Sequence, residues 1–313
     1  MALPSETKIA FIGTRVMGLP MAGHLLDAGY ELVVFNRTPS RARPLIDRGA
    51  KVAVSPGDAA ARADIVVTMV GYPADVEEIY LAAGGIVESA REGAVLVDMT
   101  TSSPRLAARI AGAASERGLS ALDAPVSGGD VGARNATLSI MVGGDAETFA
   151  RVEPVFRVLG ANVTLQGPAG CGQHTKMANQ IAIAGSMLAT AECLAYAERA
   201  GLDPARVLEA VTAGSAASWS LANLGPRILA GNFAPGFYVK HFVKDMNIAL
   251  EMADELGLDL PGLACARRLY QHLADGGGAN LGTQALWLLY AADAARERAG
   301  VDPRTRTTTA GAQ

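Results

Sequence analysis

The first half of the chain alternates short apolar runs with helix-patterned segments, and this rhythm restricts the possible folds more than any other feature. The run from Lys8 to Gly13 is short, apolar and ends in glycine, as a buried parallel strand does. Met17 to Ala28 follows with helical spacing, and Gly29 is a stop signal. Glu31 to Phe35 supplies a second strand. Strand-like runs recur at Lys51 to Val54, Asp64 to Val70 and Ala94 to Met99. Helices are expected between them over Ser40 to Arg48, Ala74 to Ala82 and Pro104 to Arg117. Parallel strands joined by helices make a doubly wound α/β sheet of the Rossmann type. Strands at Leu119 to Ala124 and Thr137 to Val142 extend it. A helix from Ala146 to Leu159 and a strand from Asn162 to Leu165 finish a domain over residues 1–169.

Beyond Gly170 the strand-like alternation stops. A long Ala-rich helix starts near Gly172 and reaches about Ala200. Helical runs follow near Pro204 to Ala213, Ser220 to Leu229, Phe242 to Leu256, Leu263 to Asp275 and Gln284 to Ala299. Glycine and proline punctuate them at Gly225-Pro226, Pro235-Gly236, Pro261-Gly262 and Gly276-Gly277-Gly278. Residues 170–302 thus read as an interdomain helix leading into an all-helical domain. Residues 303–313 lack apolar periodicity and read as a frayed tail.

Composition excludes several classes of function. The 313 residues suffice for two domains, and a hydrophobic share of 50% with 19% charged residues argues against long disorder. The formal net charge of −4 offers no basic field for nucleic acid. Cys171, Cys193 and Cys265 have no metal-ligand spacing, and their odd, sparse number fits reduced thiols in a cytoplasm. The polar stretch Met1 to Lys8 lacks the pattern of a secretory signal. The most apolar helix contains Asn179, Gln180 and Glu192, which suits burial between domains rather than a membrane. A cytoplasmic protein without metal or membrane partner is expected.

Four stretches carry the chemistry. The first strand–helix turn reads Gly13-Thr14-Arg15-Val16-Met17-Gly18, where a dinucleotide fold wants G-x-G-x-x-G. Arg15 replaces the second glycine, whose role is close backbone approach to a pyrophosphate. It either contacts phosphate as a cation or crowds the cofactor. At the end of the second strand, Asn36-Arg37-Thr38 stands where an NAD site places an acid. A guanidinium fork and a hydroxyl suit a 2′-phosphate, so NADP is favoured, with NAD possible. Sheets of this kind bind ligands beyond the carboxyl ends of strands, which adds Met69, Val70 and Thr101 to the cofactor-binding set.

Ser127-Gly128-Gly129, in Asp123-Ala124-Pro125-Val126-Ser127-Gly128-Gly129, presents consecutive backbone N–H groups to a carboxylate. A plain glycine turn is the alternative. In Gly170-Cys171-Gly172-Gln173-His174-Thr175-Lys176-Met177-Ala178-Asn179, Lys176 and Asn179 lie one helical turn apart on one face. An ammonium beside a neutral amide hands a proton to a substrate oxygen while the amide holds that oxygen, provided the lysine pKa is brought toward the working pH. An exposed lysine beside an incidental asparagine is the alternative. Lys244 lies in a cation-dense segment just before a helix, where it either meets an anionic ligand or is solvated.

Taken together, these stretches resemble the β-hydroxyacid dehydrogenase family, which includes 3-hydroxyisobutyrate dehydrogenase and 2-hydroxy-3-oxopropionate reductase and is related to 6-phosphogluconate dehydrogenase. The resemblance covers nearly the whole chain. It rests on Phe11-Ile12-Gly13 through Met17-Gly18 with Pro20-Met21-Ala22, on the Asp123 to Gly129 stretch, on Gly172-Gln173 with Lys176 and Asn179, and on Lys244-Asp245. It implies that Lys176 is the general acid/base and that Asn179 binds substrate near the reacting hydroxyl. It further implies that Ser127, Gly128 and Gly129 cradle the carboxylate, that Thr101 and Lys244 line the cleft, and that the chain is a homodimer or homotetramer. Asn179-Gln180 departs from the His-Asn that 6-phosphogluconate dehydrogenases carry. The expected reaction is NADP(H)-dependent interconversion of a small β-hydroxy acid and its semialdehyde. The alternatives are imine reduction, against which Lys176 speaks, and dinucleotide binding with catalysis impaired by Arg15.

Overall fold

The computed structural model describes residues 3, 4 and 6–302; the tail expected over 303–313 lies outside them. The chain divides into two compact units, Met1–Lys176 and Met177–Gln313.

The first unit contains β1 (Lys8–Ile12), α1 (Gly18–Asp27), β2 (Glu31–Phe35), α2 (Arg43–Ile46), β3 (Lys51–Val52), α3 (Pro56–Ala60), β4 (Ile65–Thr68), α4 (Pro73–Leu81) and α5 (Ile86–Ser89). It continues with β5 (Val95–Asp98), α6 (Pro104–Ser115), β6 (Ser120–Asp123), β7 (Val126–Ser127), α7 (Gly129–Arg134), β8 (Ser139–Gly143), α8 (Ala146–Leu159) and β9 (Asn162–Gly167). The strands form one sheet in the order β3-β2-β1-β4-β5-β6-β8-β7, with β9 beside β8. The run from β3 to β6 is parallel and has the strand order of a doubly wound dinucleotide fold. Alternate residues of β1 feed opposite faces: Ile9 and Phe11 enter one core, Ala10 and Ile12 the other.

Two expectations for this unit need correction. The sheet is not parallel throughout, because β8 runs antiparallel to both β6 and β7. The connection over residues 128–138 is too short for a parallel crossover, so the chain returns as a hairpin. The helix expected from Ser40 to Arg48 is a 3-10 turn, Pro39–Ala42, followed by the short α2. Pro44 supplies no backbone N–H and restricts the residue before it. Sequence periodicity also gave no sign of α3, α5 or α7, which are each six residues or shorter.

The second unit is helical. The long α9 (Cys171–Arg199) begins in the first unit and runs into it. Then come α10 (Pro204–Thr212), α11 (Trp219–Leu229), α12 (Val239–Glu255), α13 (Pro261–Asp275) and α14 (Asp293–Arg298). The helix expected from Gln284 to Ala299 is instead a 3-10 segment, Thr283–Leu289, a break, and then α14. Tertiary bonds override the pattern here: Gln284 Nε2 donates to the carbonyls of Asn232 and Ala234 at 3.0 and 3.1 Å. The core gathers Met187, Phe242, Met246 and Tyr270, with Phe242 and Tyr270 edge to face at 5.0 Å. By length and composition alone α9 could cross a membrane. Gln173, Gln180 and Thr190 are buried on it, which fits a core helix.

The carboxyl ends of the parallel strands hold buried acids. Asp98 closes β5 at 7% exposure, and its Oδ1 accepts from Thr68 Oγ1 at 2.8 Å and from the Thr100 N–H at 3.0 Å. Burial pushes its pKa up to about 6, against the pull of the Thr100 and Thr68 bonds, with the Asp123 charge adding to the rise. A carboxyl that binds its proton more tightly in the folded state contributes stability at low pH. That contribution is lost as pH rises from the unfolded value near 4 through 6. Replacing Asp98 with Asn keeps an acceptor for both donors and removes the titration. Relative to Asp98→Asn, the parent should therefore lose about 2 kcal/mol of unfolding free energy between pH 4 and pH 7. Urea melts across that range check this, and parallel pH profiles would refute it.

Candidate active site

The turn after β1 is built by close backbone approach. Gly13 has φ +100°, and a Cβ on it would lie 2.2 Å from the Met69 carbonyl oxygen, so only glycine fits. This brings Met69 and Val70, both half-buried at the end of β4, against the glycine-rich turn. Thr14 donates its N–H to Asn36 Oδ1 at 3.0 Å, and Asn36 Nδ2 donates to the Thr38 carbonyl at 2.8 Å. Asn36 therefore ties the turns after β1 and β2 together.

Arg15, Val16, Arg37 and Thr38 are exposed and Met17 is half-buried at the start of α1. Ala136 is the one non-glycine among the described residues with positive φ, so Arg15 does not need the conformational freedom of the glycine it replaces. Arg37 has a side chain 83% exposed and lies 3.7 Å from Asp75 Oδ1. Asp75 itself accepts the Tyr72 N–H at the start of α4.

The loops after β5 and β6 are joined to the start of α9 by a continuous chain of hydrogen bonds. The Val70 N–H donates to Thr100 Oγ1 at 3.0 Å, which links the loops after β4 and β5. Gln173, fully buried, donates through Nε2 to the Thr100 carbonyl at 2.7 Å and accepts the Ser102 N–H on Oε1 at 2.9 Å. Half-buried Thr101 lies between these two anchor points. Asp123, 4% exposed, accepts the Gly170 N–H on Oδ1 at 2.7 Å and the Gln173 N–H on Oδ2 at 2.8 Å. Burial raises the Asp123 pKa, opposed by those two backbone donors. A Cβ on Gly172 would meet the Met141 and Asp123 carbonyl oxygens at 2.4 and 2.6 Å, so the first turn of α9 rests directly on strand backbone.

Lys176 follows Gln173 by three residues and is 6% exposed. Ser127 ends β7, where it pairs with Ser139, and Gly128 and Gly129 follow with φ +130° and +61°. This arrangement turns the chain sharply between the ladder and α7.

In the second unit Asn179 is half-buried, and its Nδ2 donates to Gln180 Oε1 at 2.7 Å. Gln180 Nε2 in turn donates to Asp245 Oδ2 at 2.5 Å. Lys244 Nζ lies 2.9 Å from Asp245 Oδ1, an ion pair with both side chains largely buried. The motif residues Asn179 and Lys244 thus meet through Gln180 and Asp245.

Sequence reasoning assigned no role to Asp98, Asp123, Gln173, Gln180 or Asp245. The available signal was a polar side chain inside an otherwise apolar pattern, as at Gln173 and Gln180. Among the described residues no group of three or more His, Cys, Asp or Glu could hold a metal ion.

Comparison with known proteins agrees with this architecture. Residues 8–167 match the model of the NAD binding domain of 6-phosphogluconate dehydrogenase. Residues 170–290 match that of the NAD-binding region of NADP-dependent 3-hydroxyisobutyrate dehydrogenase. The chain is 55% identical over 282 residues to the uncharacterized oxidoreductase YkwC of Bacillus subtilis (strain 168), covering 90% of this chain and 98% of that protein. It is 42% identical over 279 residues to 2-hydroxy-3-oxopropionate reductase of Escherichia coli (strain K12), covering 89% and 95%. The solved structure of Mycobacterium tuberculosis 3-hydroxyisobutyrate dehydrogenase with L-serine superposes with a TM-score of 0.85 at 31% identity, covering 91% of this chain and 99% of that one. With the doubly wound sheet, the helical second unit and these relatives, the chain belongs to the β-hydroxyacid dehydrogenase family of NAD(P)-dependent oxidoreductases.

Proposed function

We propose that this enzyme interconverts a short β-hydroxy acid and its semialdehyde with NADP(H), and that Lys176 is its general acid/base. The observation that carries this reading is a lysine 6% exposed, one turn beyond Gln173, which is hydrogen-bonded to the loop that holds Thr101 and to Asp123 at the end of β6. Gly13, Arg15, Val16, Met17, Met69, Val70 and Thr101 sit at the carboxyl ends of β1, β4 and β5 or in the turns beyond them, the ligand edge of such a sheet. They would hold the dinucleotide, together with Asn36, Arg37 and Thr38 at its adenosine end and Lys244. When bound, the nicotinamide supplies or accepts the hydride.

The Ser127, Gly128 and Gly129 backbone anchors the substrate carboxylate, which fixes the distance to the β-carbon and raises the effective concentration. Lys176 gives its proton to the carbonyl oxygen during reduction and takes it back during oxidation. Asn179, held by Gln180, donates to the same oxygen and orients it. Similarity to 2-hydroxy-3-oxopropionate reductase and 3-hydroxyisobutyrate dehydrogenase supports a short carboxylate-bearing substrate. An imine reductase would not require the lysine.

NADP is the preferred cofactor in this reading. The exposed Arg37 guanidinium stands where an NAD enzyme carries an acid, and the matched second-domain model is that of an NADP-dependent enzyme. Homo-oligomerisation through the helical unit is supported by Tyr196 and Trp219, which are 75% and 67% exposed.

Three outcomes are expected. Lys176→Ala should lower kcat by roughly 10²–10⁴-fold while NADPH affinity stays unchanged. NADPH oxidation against a panel of short semialdehydes, with NADPH fluorescence titration, checks this, and near-parental turnover would refute the lysine assignment. Arg37→Ala should raise KM for NADPH by about 10-fold or more and leave KM for NADH unaltered, as loss of a charge-assisted bond does. Equal effects on both cofactors would contradict the 2′-phosphate role. Light scattering of the purified protein should give a dimer or tetramer, and a monomer at micromolar concentration would refute the oligomer.

A further inference from the structure

The first turn of α9 receives its cap from outside the helix. Helix N-termini leave backbone N–H groups unpaired, and a side chain near the N-cap in sequence normally satisfies them. Here the acceptor is Asp123, 47 residues before Gly170 and 50 before Gln173. Its two oxygens take one N–H each, so the carboxylate fixes both the position and the direction of the helix start. The Gln173 side chain then locks the same turn to Thr100 and Ser102. Glycines at 143 and 172 let these backbones meet without intervening side chains: a Cβ on Gly143 would lie 2.4 Å from Asp123 Oδ1. One turn along α9 from this junction stands Lys176, and four residues along the chain from Asp123 stands Ser127.

We infer that Asp123 is a positioning residue for proton transfer. Its carboxylate, with Gln173, holds the Lys176 turn of α9 in register with the Thr100–Ser102 loop and the Ser127–Gly129 anchor. This rests on the assignment of Lys176 as the general acid/base. The proton donor and the carboxylate anchor reach the substrate from different chain segments, and Asp123 is the group bonded to one and continuous with the other. Proton transfer depends steeply on donor–acceptor distance, and a displacement of about 1 Å costs on the order of 10² in rate. An uncharged amide in place of Asp123 offers one carbonyl oxygen and one NH2 group to two N–H donors. It therefore satisfies one donor and repels the other.

The test compares Asp123→Asn, Gln173→Met and Lys176→Ala in the full-length enzyme. Gln173→Met keeps the cap and the side-chain length but cuts the ties to Thr100 and Ser102. Both Asp123→Asn and Gln173→Met should lower kcat, the former by about 10²-fold, with NADPH affinity within a few-fold of the parent. The solvent deuterium isotope effect on kcat should rise in both, because a misplaced lysine makes the proton step limiting. A role in folding alone would lower the active fraction without moving that isotope effect, and such a result would overturn the inference. If Asp123→Asn does not fold, Gln173→Met decides by the same two readouts. Parental kcat and isotope effect in folded variants, with Lys176→Ala inactive, would overturn the positioning role and leave the lysine assignment standing. An active Lys176→Ala would remove the assignment itself.

Discussion

Polar groups at the carboxyl edge of a buried parallel sheet must find partners without water, and this constraint shapes the first unit. The strands β1, β4 and β5 are covered on both faces, so the loops beyond them meet at close quarters. Asp98, Thr100, Asp123 and Gln173 resolve the problem by bonding to one another's backbones. A buried carboxylate with two backbone donors offsets much of its desolvation. The raised pKa of both Asp98 and Asp123 shows that burial still outweighs those bonds. The same crowding explains Gly13 and Gly172, where any side chain would strike a carbonyl oxygen.

The second unit meets the same requirement by other means. Gln180 and Asp245 are 1% exposed, on helices that otherwise present apolar faces. Each is paired, Gln180 to Asn179 and Asp245, and Asp245 also to Lys244. Removing one member of such a chain strands the others, so buried polar networks hold their side chains in a single arrangement. In this network Asn179 is the member that meets the substrate oxygen in the proposed reaction, and its amide enters with its orientation already set.

The fold class was legible because parallel sheets and long helices write strong periodic patterns. Glu31–Phe35, Ala146–Leu159 and the long helix after Gly170 appear where the patterns place them. Short elements and reversals were not legible. The return of β8 depends on how the chain turns after Pro125, and the 3-10 segment at Thr283–Leu289 depends on Gln284 bonding to a distant loop. For the site, glycine spacing and the Lys176–Asn179 interval marked the stretches on which the proposed function rests. Asn36 and Asp123 lay inside those motifs, but Thr14, Gly170 and Gln173, whose N–H groups they accept, are 22 to 50 residues away and leave no local trace.

The sequence by itself determined the alternation that makes the sheet, the apolar stripes that make the helical unit, and the residue types available for dinucleotide and carboxylate binding. Those features are local, because periodicity and turn chemistry act over a few residues. Only the tertiary structure decided which polar group answers which. It showed that Arg15 occupies its turn without left-handed strain, that Asn36 supports the glycine-rich turn, and that Asp123 caps the helix of Lys176. Those pairings follow from where strand ends and a helix start converge, and hydrogen-bond satisfaction in a dry interior is a property of that convergence rather than of any one stretch of chain.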